Sequence, residues 1–395
     1  MNLFGKKLRE LETEGLFDEY SSDHVIKKAM IGNYSFFQKH KNLIDIKDNS
    51  ITSNLCKSFL LNLSNCLNLL YKKFDKVKID RFIKDQLSAG KDQYDEMQFI
   101  RAISEIEVIR YFLLFISKNI KAIYEPTTFS GKKNPEARFI YDDKYIIDIE
   151  VKTPGFNHII KNIPDCKEGC IRPNVILPQK FSIKDFFEKN NINMDFEYPR
   201  CLKLKEYIKS AASKFENVDH QKHFNLLFVN WTYSDYNEVA LNEPITLIAN
   251  SYSGIFINKK AYESIGIKQE EIERISGIVL YKDSFDNIIN MDLRYHFRTP
   301  NTIVFIPNSI FLPELNLKKI TEMIKINPLI LDSVISEINI LDYVKRRNCK
   351  VDLNLIAKYL VRKILSDRNL GTGLGLNVFN KNQIEKIINL IDKIN

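Results

Sequence analysis

Long apolar runs are missing from this chain of 395 residues. The longest, such as Tyr111–Ile116, fall far short of the roughly 20 residues that cross a bilayer, so no membrane association is expected. The first residues carry Lys6, Lys7 and Arg9 but no apolar core of a signal peptide, which leads to the expectation of a cytoplasmic protein. Cysteine is sparse. The six, at positions 56, 66, 166, 170, 201 and 349, are scattered as reduced thiols are. Cys166-x-x-x-Cys170 with Cys201 comes nearest to a zinc or iron-sulfur motif, but paired C-x-x-C spacing is absent. Internal repeats and low-complexity linkers are absent too. No serine, histidine and aspartate arrangement stands out for nucleophilic catalysis, and His220 and His223 read as surface residues at the end of a helix. The charge is not balanced: 58 Lys and Arg against 50 Asp and Glu leave a formal +8, which suits a polyanionic partner.

What is present is concentrated in one stretch, Tyr145-Ile-Ile-Asp-Ile-Glu-Val-Lys152. A strand alternates its faces, so Asp148, Glu150 and Lys152 emerge on one side and Ile147, Ile149 and Val151 on the other. Charges gathered on one face of an otherwise apolar strand are costly near a core unless a metal ion or an anionic substrate compensates them. The preceding segment, Pro135 to Tyr141, reads as a hairpin partner joined by Asp142-Asp143-Lys144. A three-residue loop sets Tyr141 opposite Tyr145, Phe139 opposite Ile147 and Ala137 opposite Ile149, giving one apolar face. It also sets Glu136 across from Glu150. A two-residue loop would oppose Arg138 to Ile147 and turn Glu136 to the apolar face, so the hydrophobic pattern selects the register that brings the carboxylates together.

With these residues the chain resembles the PD-(D/E)xK, or restriction-endonuclease-like, nucleases over roughly residues 96 to 310. Their signature is an acid at the start of one strand and an acid-x-Lys on the next. Pro135-Glu136 stands where the family usually has Pro-Asp, with the longer acid as the departure, and Glu150-Val151-Lys152-Thr153-Pro154 matches the second half. The family often carries an acid on the preceding helix, and Glu105 in Ser104–Phe112 matches it. Glu105 falls in line with Ile109, Phe112 and Ile116 at helical spacing, on the buried stripe.

The resemblance implies an α/β fold: a restriction-endonuclease-like core with a central mixed β-sheet flanked by helices. It implies Mg²⁺, for which Mn²⁺ can substitute, held by Glu136, Glu150, the backbone carbonyl of Val151 and Glu105, the last through a water or a second ion. Carboxylates are the hard oxygen ligands that such an ion takes, and it keeps several waters of its own. Cleaving a phosphodiester requires an activated water and stabilisation of charge on the phosphate, and Lys152 would supply the latter. Glu105, Glu136, Glu150 and Lys152 are thus the expected catalytic residues.

Downstream, Leu202–Phe215 has helical spacing and leads into the strand-like run His223–Trp231, a crossover pattern. Lys205 and Lys209 share a helix face and, with Lys214, are candidate nucleic-acid contacts. Lys214 also resembles the position where the family places a glutamine or lysine near the site. Ser253–Asn258, Gly277–Tyr281 and Thr302–Ile306 read as further strands. Three regions follow: a helical one at 1–95, the nuclease-like core at 96–310, and a second helical one at 311–395. The last holds helical runs at Leu317–Ile324, Ile330–Val344, Leu353–Leu365 and Lys381–Ile394. Gly371-Thr-Gly-Leu-Gly-Leu376 looks like the glycine box of histidine-kinase-type ATPases, but the partner motifs are absent and it reads as a turn. The expected activity is metal-dependent hydrolysis of DNA, with double-stranded DNA as partner and the helical flanks available for a homodimer or protein partner. The alternatives are a nucleic-acid-binding module with this fold and little turnover, and a partner-binding protein whose basic face is incidental.

Overall fold

The computed structural model describes residues 5–33, 49–90, 92–116, 120–127, 134–154, 170–171, 195–196, 203–232, 241–249, 254–283, 291–294 and 303–329. Among the described residues the first elements are the helices α1 (Lys6–Thr13), α2 (Val25–Met30), α3 (Asn49–Lys73) and α4 (Lys76–Phe82). A wider π-helical turn continues α4 through Ile83–Leu87. Helix α5 (Glu96–Tyr111) begins at Asp95, whose side chain accepts from the N–H groups of Met97 and Gln98 and so satisfies donors left free by the first turn. Nearly every side of α5 is buried, including Ser104, Glu105 and Glu107. A helix of this kind lies inside a protein, between layers.

The strands follow as β1 (Ile120–Tyr124), β2 (Ala137–Tyr141) and β3 (Tyr145–Lys152). Two short strands, β4 (Cys170–Ile171) and β5 (Asp195–Phe196), form a separate parallel pair. Then come α6 (Lys203–Lys214), β6 (His223–Asn230), α7 (Asn242–Ala249), α8 (Lys259–Ser264), α9 (Gln269–Glu273), β7 (Gly277–Tyr281), β8 (Ile303–Pro307) and α10 (Leu317–Ile324). The main sheet runs β1-β2-β3-β6-β7-β8. It is mixed: β3, β6 and β7 are parallel to one another, while β1, β2 and β8 run antiparallel to their neighbours. The fold is therefore α/β, and none of the described helices is long and apolar enough to cross a membrane.

Strand alternation sorts the core into two halves. Ile147, Ile149, Phe224, Leu226, Phe228, Val279 and Tyr281 join one cluster with α1–α5 and α10. Leu227, Val229, Ile278 and Leu280 join the other with α6, α7, α8 and α9. The expected hairpin register is the one present, with Tyr141 paired to Tyr145, Phe139 to Ile147 and Ala137 to Ile149. Asp142 and Asp143 make the turn in the left-handed region, at φ 50° and 51°, a conformation that short polar residues tolerate. The expected helix at Leu202–Phe215 and the strands at His223–Trp231, Gly277–Tyr281 and Thr302–Ile306 are present within a residue or so.

Two expectations fail. Gly254–Asn258 forms turns rather than a strand, with the N–H groups of Ile255 and Phe256 bonded to the carbonyls of Leu247 and Ile248 at the end of α7. Ile255 and Phe256 are fully buried in the second core cluster, and a short apolar run does not reveal whether it fills a core as strand or as turn. Asn258 then caps α8. The histidines are also misjudged. His220 is buried, with Nδ1 2.9 Å from Ser276 Oγ, and His223 opens β6 with Nε2 2.9 Å from Asp148 Oδ2. Both bond polar groups inside the fold. The helical runs expected beyond Leu329, Gly371–Leu376, and Cys166, Cys201 and Cys349 lie outside the described residues. Cys56 and Cys66 are buried free thiols whose ionisation burial disfavours, moving them up to about 12 and about 11.

Candidate active site

Asp148, Glu150 and Lys152 point from β3 to the face that carries α6, and the C-terminal end of that helix lies over them. Glu150 is fully buried. Its Oε1 forms ion pairs with Lys152 Nζ and, at 2.7 Å, with Lys214 Nζ from the last turn of α6. Lys214 Nζ is also 3.1 Å from Glu136 Oε1. Glu150 and Lys152 of β3, Glu136 just before β2 and Lys214 at the end of α6 thus form one contiguous cluster.

Glu136 reaches it through a local irregularity. The β2–β3 ladder ends at Ala137 and Ile149, yet the Glu136 N–H bonds to Ile149 O at 2.9 Å. That bond is one residue out of register, as at a β-bulge, a device that re-aims side chains at strand ends. Glu136 is therefore not a ladder partner of Glu150 as expected; the two meet through Lys214. Val151 turns its side chain into the opposite core. Backbone groups of residues two apart point the same way, so its carbonyl, like that of Ile149, faces the β2 side, past the last ladder pair.

Glu105 enters from α5 on the other side of β3. It is 5% exposed, and its Oε1 accepts a 2.6 Å hydrogen bond from the Tyr124 hydroxyl at the end of β1. Burial, and then the negative charge of Glu136, raise its carboxyl well above the ordinary range, with the Tyr124 bond offsetting only part. Burial and the Glu136 charge likewise push Glu150 up to about 7, against the pull of Lys152 and Lys214. Burial opposes the charge on Lys214, but Glu136 and Glu150 hold its ammonium above the usual lysine range.

Asp148, on the same strand face, is a different kind of acid. Arg138, its ladder partner, grips it with two bonds, Nε to Oδ1 at 2.6 Å and Nη2 to Oδ2 at 2.7 Å, and His223 adds a third. Arg138 also reaches Glu216 at 3.2 Å. Burial alone would raise Asp148, yet these bonds hold it below the usual carboxylate range. This network was not foreseen, although the hairpin register already placed Arg138 opposite Asp148. Tyr124 was missed too; nothing in its local sequence marks it as the partner of a helical acid. Glu107 is fully buried, and burial together with the charge of Asp283 raises its carboxyl. Beside it, Asn230 donates to Ser104 Oγ and Asp283 Oδ2.

Of the basic candidates, Lys205 and Lys209 are half-buried along α6, whereas Lys214 is committed to the acid cluster. Among the described residues, no three Asp, Glu, His or Cys side chains stand ready to hold a metal ion. The donor chemistry nevertheless suits a hard cation. Mg²⁺ requires few protein oxygens, and the buried Glu150 Oε2 has no hydrogen-bond partner. Comparison with known proteins finds no matching family model, no matching curated protein and no matching solved structure.

Proposed function

We propose that this chain is a metal-dependent phosphodiester hydrolase acting on DNA, built on a restriction-endonuclease-like core. The observation that carries the reading is the meeting of Glu136, Glu150 and Lys152 on one sheet face, with Lys214 from the crossover helix completing the cluster. The element order supports it as well: an acid-bearing helix, three antiparallel strands, a crossover helix and a parallel strand.

In this reading Glu136 and Glu150 hold Mg²⁺, which when bound acidifies a water and polarises the phosphate. Lys152, anchored two residues from Glu150 on the same strand, places an ammonium where negative charge grows on the phosphate oxygens. Glu105 keeps its proton through burial and the neighbouring acids, so it donates or orders a water rather than adding a further charge. Tyr124 fixes the direction in which it does so.

The test is cleavage of plasmid, linear duplex, single-stranded DNA and RNA, each with Mg²⁺ and with chelator. Cleavage of DNA that chelator abolishes is the expected result, and its absence from every substrate refutes the reading. One observation favours a second reading, a nucleic-acid-binding module with little turnover: both lysines beside Glu150 are already paired with carboxylates. Metal-independent duplex binding without cleavage would select it.

A further inference from the structure

The ammonium of Lys214 lies 2.7 Å from Glu150 Oε1 and 3.1 Å from Glu136 Oε1, between the two carboxylates that the hydrolase reading gives to a metal ion. We propose that Lys214 is a resident counter-cation: it keeps Glu136 and Glu150 closed to a divalent ion until a substrate phosphate draws its ammonium away. The proposal rests on the hydrolase reading and deepens it by adding a regulation of that site.

Charge balance supplies the reason. With both carboxylates ionised, Glu136 and Glu150 face Lys152 and Lys214, two negative against two positive, so the cluster is neutral without any ion. A dication bound to the same oxygens would leave it strongly positive in a buried place where charges are poorly screened. One ammonium has to leave. Lys152 is the poorer candidate, because it is fixed on β3 and pairs with Glu150 alone among the two. Both lysine side chains keep some exposure, 21% for Lys152 and 18% for Lys214, so what singles out Lys214 is that it alone bridges both carboxylates, on a flexible stem at the last residue of α6. A phosphate group arriving at the cluster gives that ammonium an alternative anion. Metal and substrate then each tighten the binding of the other, since coupling between two ligands is reciprocal.

The experiment is calorimetric titration of Mn²⁺ into the full-length protein, alone and with a short phosphorothioate duplex that resists cleavage. Wild type, Lys214→Met and Lys214→Arg are compared, with thermal melting to establish that each is folded. Lys214→Gln replaces Lys214→Met if the latter does not fold. Removing one positive charge at contact distance should tighten Mn²⁺ binding to the free protein by about tenfold or more. Wild type and Lys214→Arg should reach comparable affinity only with the duplex present, and the duplex should add little to Lys214→Met. Equal Mn²⁺ affinity of free wild type and Lys214→Met overturns the proposal and leaves the hydrolase reading standing, because the metal is still bound. No saturable Mn²⁺ binding in any form, with or without duplex, overturns both.

Discussion

Replacing Glu150 with glutamine should tilt the pH dependence of stability by an amount that follows from its environment. Burial and the charge of Glu136 move its carboxyl from 4.5 to about 7 in the folded protein. Between those values the folded chain holds a proton that the unfolded chain has released, so stability falls as pH rises through the window. The penalty is absent below the unfolded value and complete above the folded one. At 1.36 kcal/mol per pK unit it amounts to about 3 kcal/mol, a sizeable part of the roughly 5–15 kcal/mol that holds a domain together. Glutamine keeps the shape and cannot ionise. Lys214 loses a partner in the variant, but its ammonium is held above the usual lysine range, far from this window, so that loss offsets the whole curve without tilting it. Glu107, raised by burial and Asp283, tilts both proteins alike, whereas Glu105 owes a minor share of its rise to the Glu150 charge, so its tilt eases in the variant and adds in the same direction. Urea denaturation at intervals from pH 4 to pH 8 measures the difference. The variant should gain on wild type by about 3 kcal/mol across that range, and parallel curves would refute the claim that Glu150 ionises against its surroundings.

Four further outcomes are expected. Glu136→Ala and Lys152→Ala should each lower Mg²⁺-dependent cleavage by about a hundredfold or more, while the Glu136 variant still binds duplex DNA; cleavage equal to wild type in both would remove these residues from the active site. Glu105→Gln should slow cleavage with little change in melting temperature, because a buried, protonated glutamate and glutamine are alike in size and in donating a hydrogen bond; normal specific activity with a large drop in melting temperature would make Glu105 a structural acid. Asp148→Ala leaves Arg138 with Glu216 alone and takes the carboxylate from His223, and should cost about 3 kcal/mol in urea denaturation, at the low end for breaking a buried ion pair; a cost below about 1 kcal/mol would show that the network is dispensable. Lys205→Ala with Lys209→Ala should weaken binding to all duplexes and flatten its salt dependence, whereas an unchanged salt slope would assign both to a helix face that DNA does not touch.

The hairpin was legible because its two sources of information agree. Alternating Phe139, Ile147 and Ile149 permit one register, and the three-residue turn delivers the same one. Helix α5 and the crossover helix α6 were legible from their apolar spacing. What remained hidden depends on tertiary placement. The irregular bond at Glu136 leaves no mark in composition. The resemblance pointed to Lys214 near the site, but its bridging of Glu136 and Glu150 depends on α6 returning across β3, which the helix's own sequence does not reveal. Residues two apart on a helix, such as Glu105 and Glu107, ordinarily face different surroundings, one of them wet. Here α5 lies between layers and buries both, which the helix's own sequence does not show.

Asp148 and Glu150 show why an acidic motif needs its surroundings before it becomes chemistry. They are two residues apart, on one face of one strand, and both are fully buried. Asp148 meets a guanidinium that matches its two oxygens at once, with an imidazole completing the contact, and it ionises readily. Glu150 meets two ammoniums on a single oxygen, shares one of them with Glu136, and has Oε2 left over. A carboxylate satisfied by its own fold has nothing to offer a metal ion or a substrate. One pushed up to about 7, with an oxygen unpartnered, has capacity to spare for such a ligand, and this difference in partners, more than the spacing of the acids, is what distinguishes Glu150 from Asp148 as the candidate metal ligand.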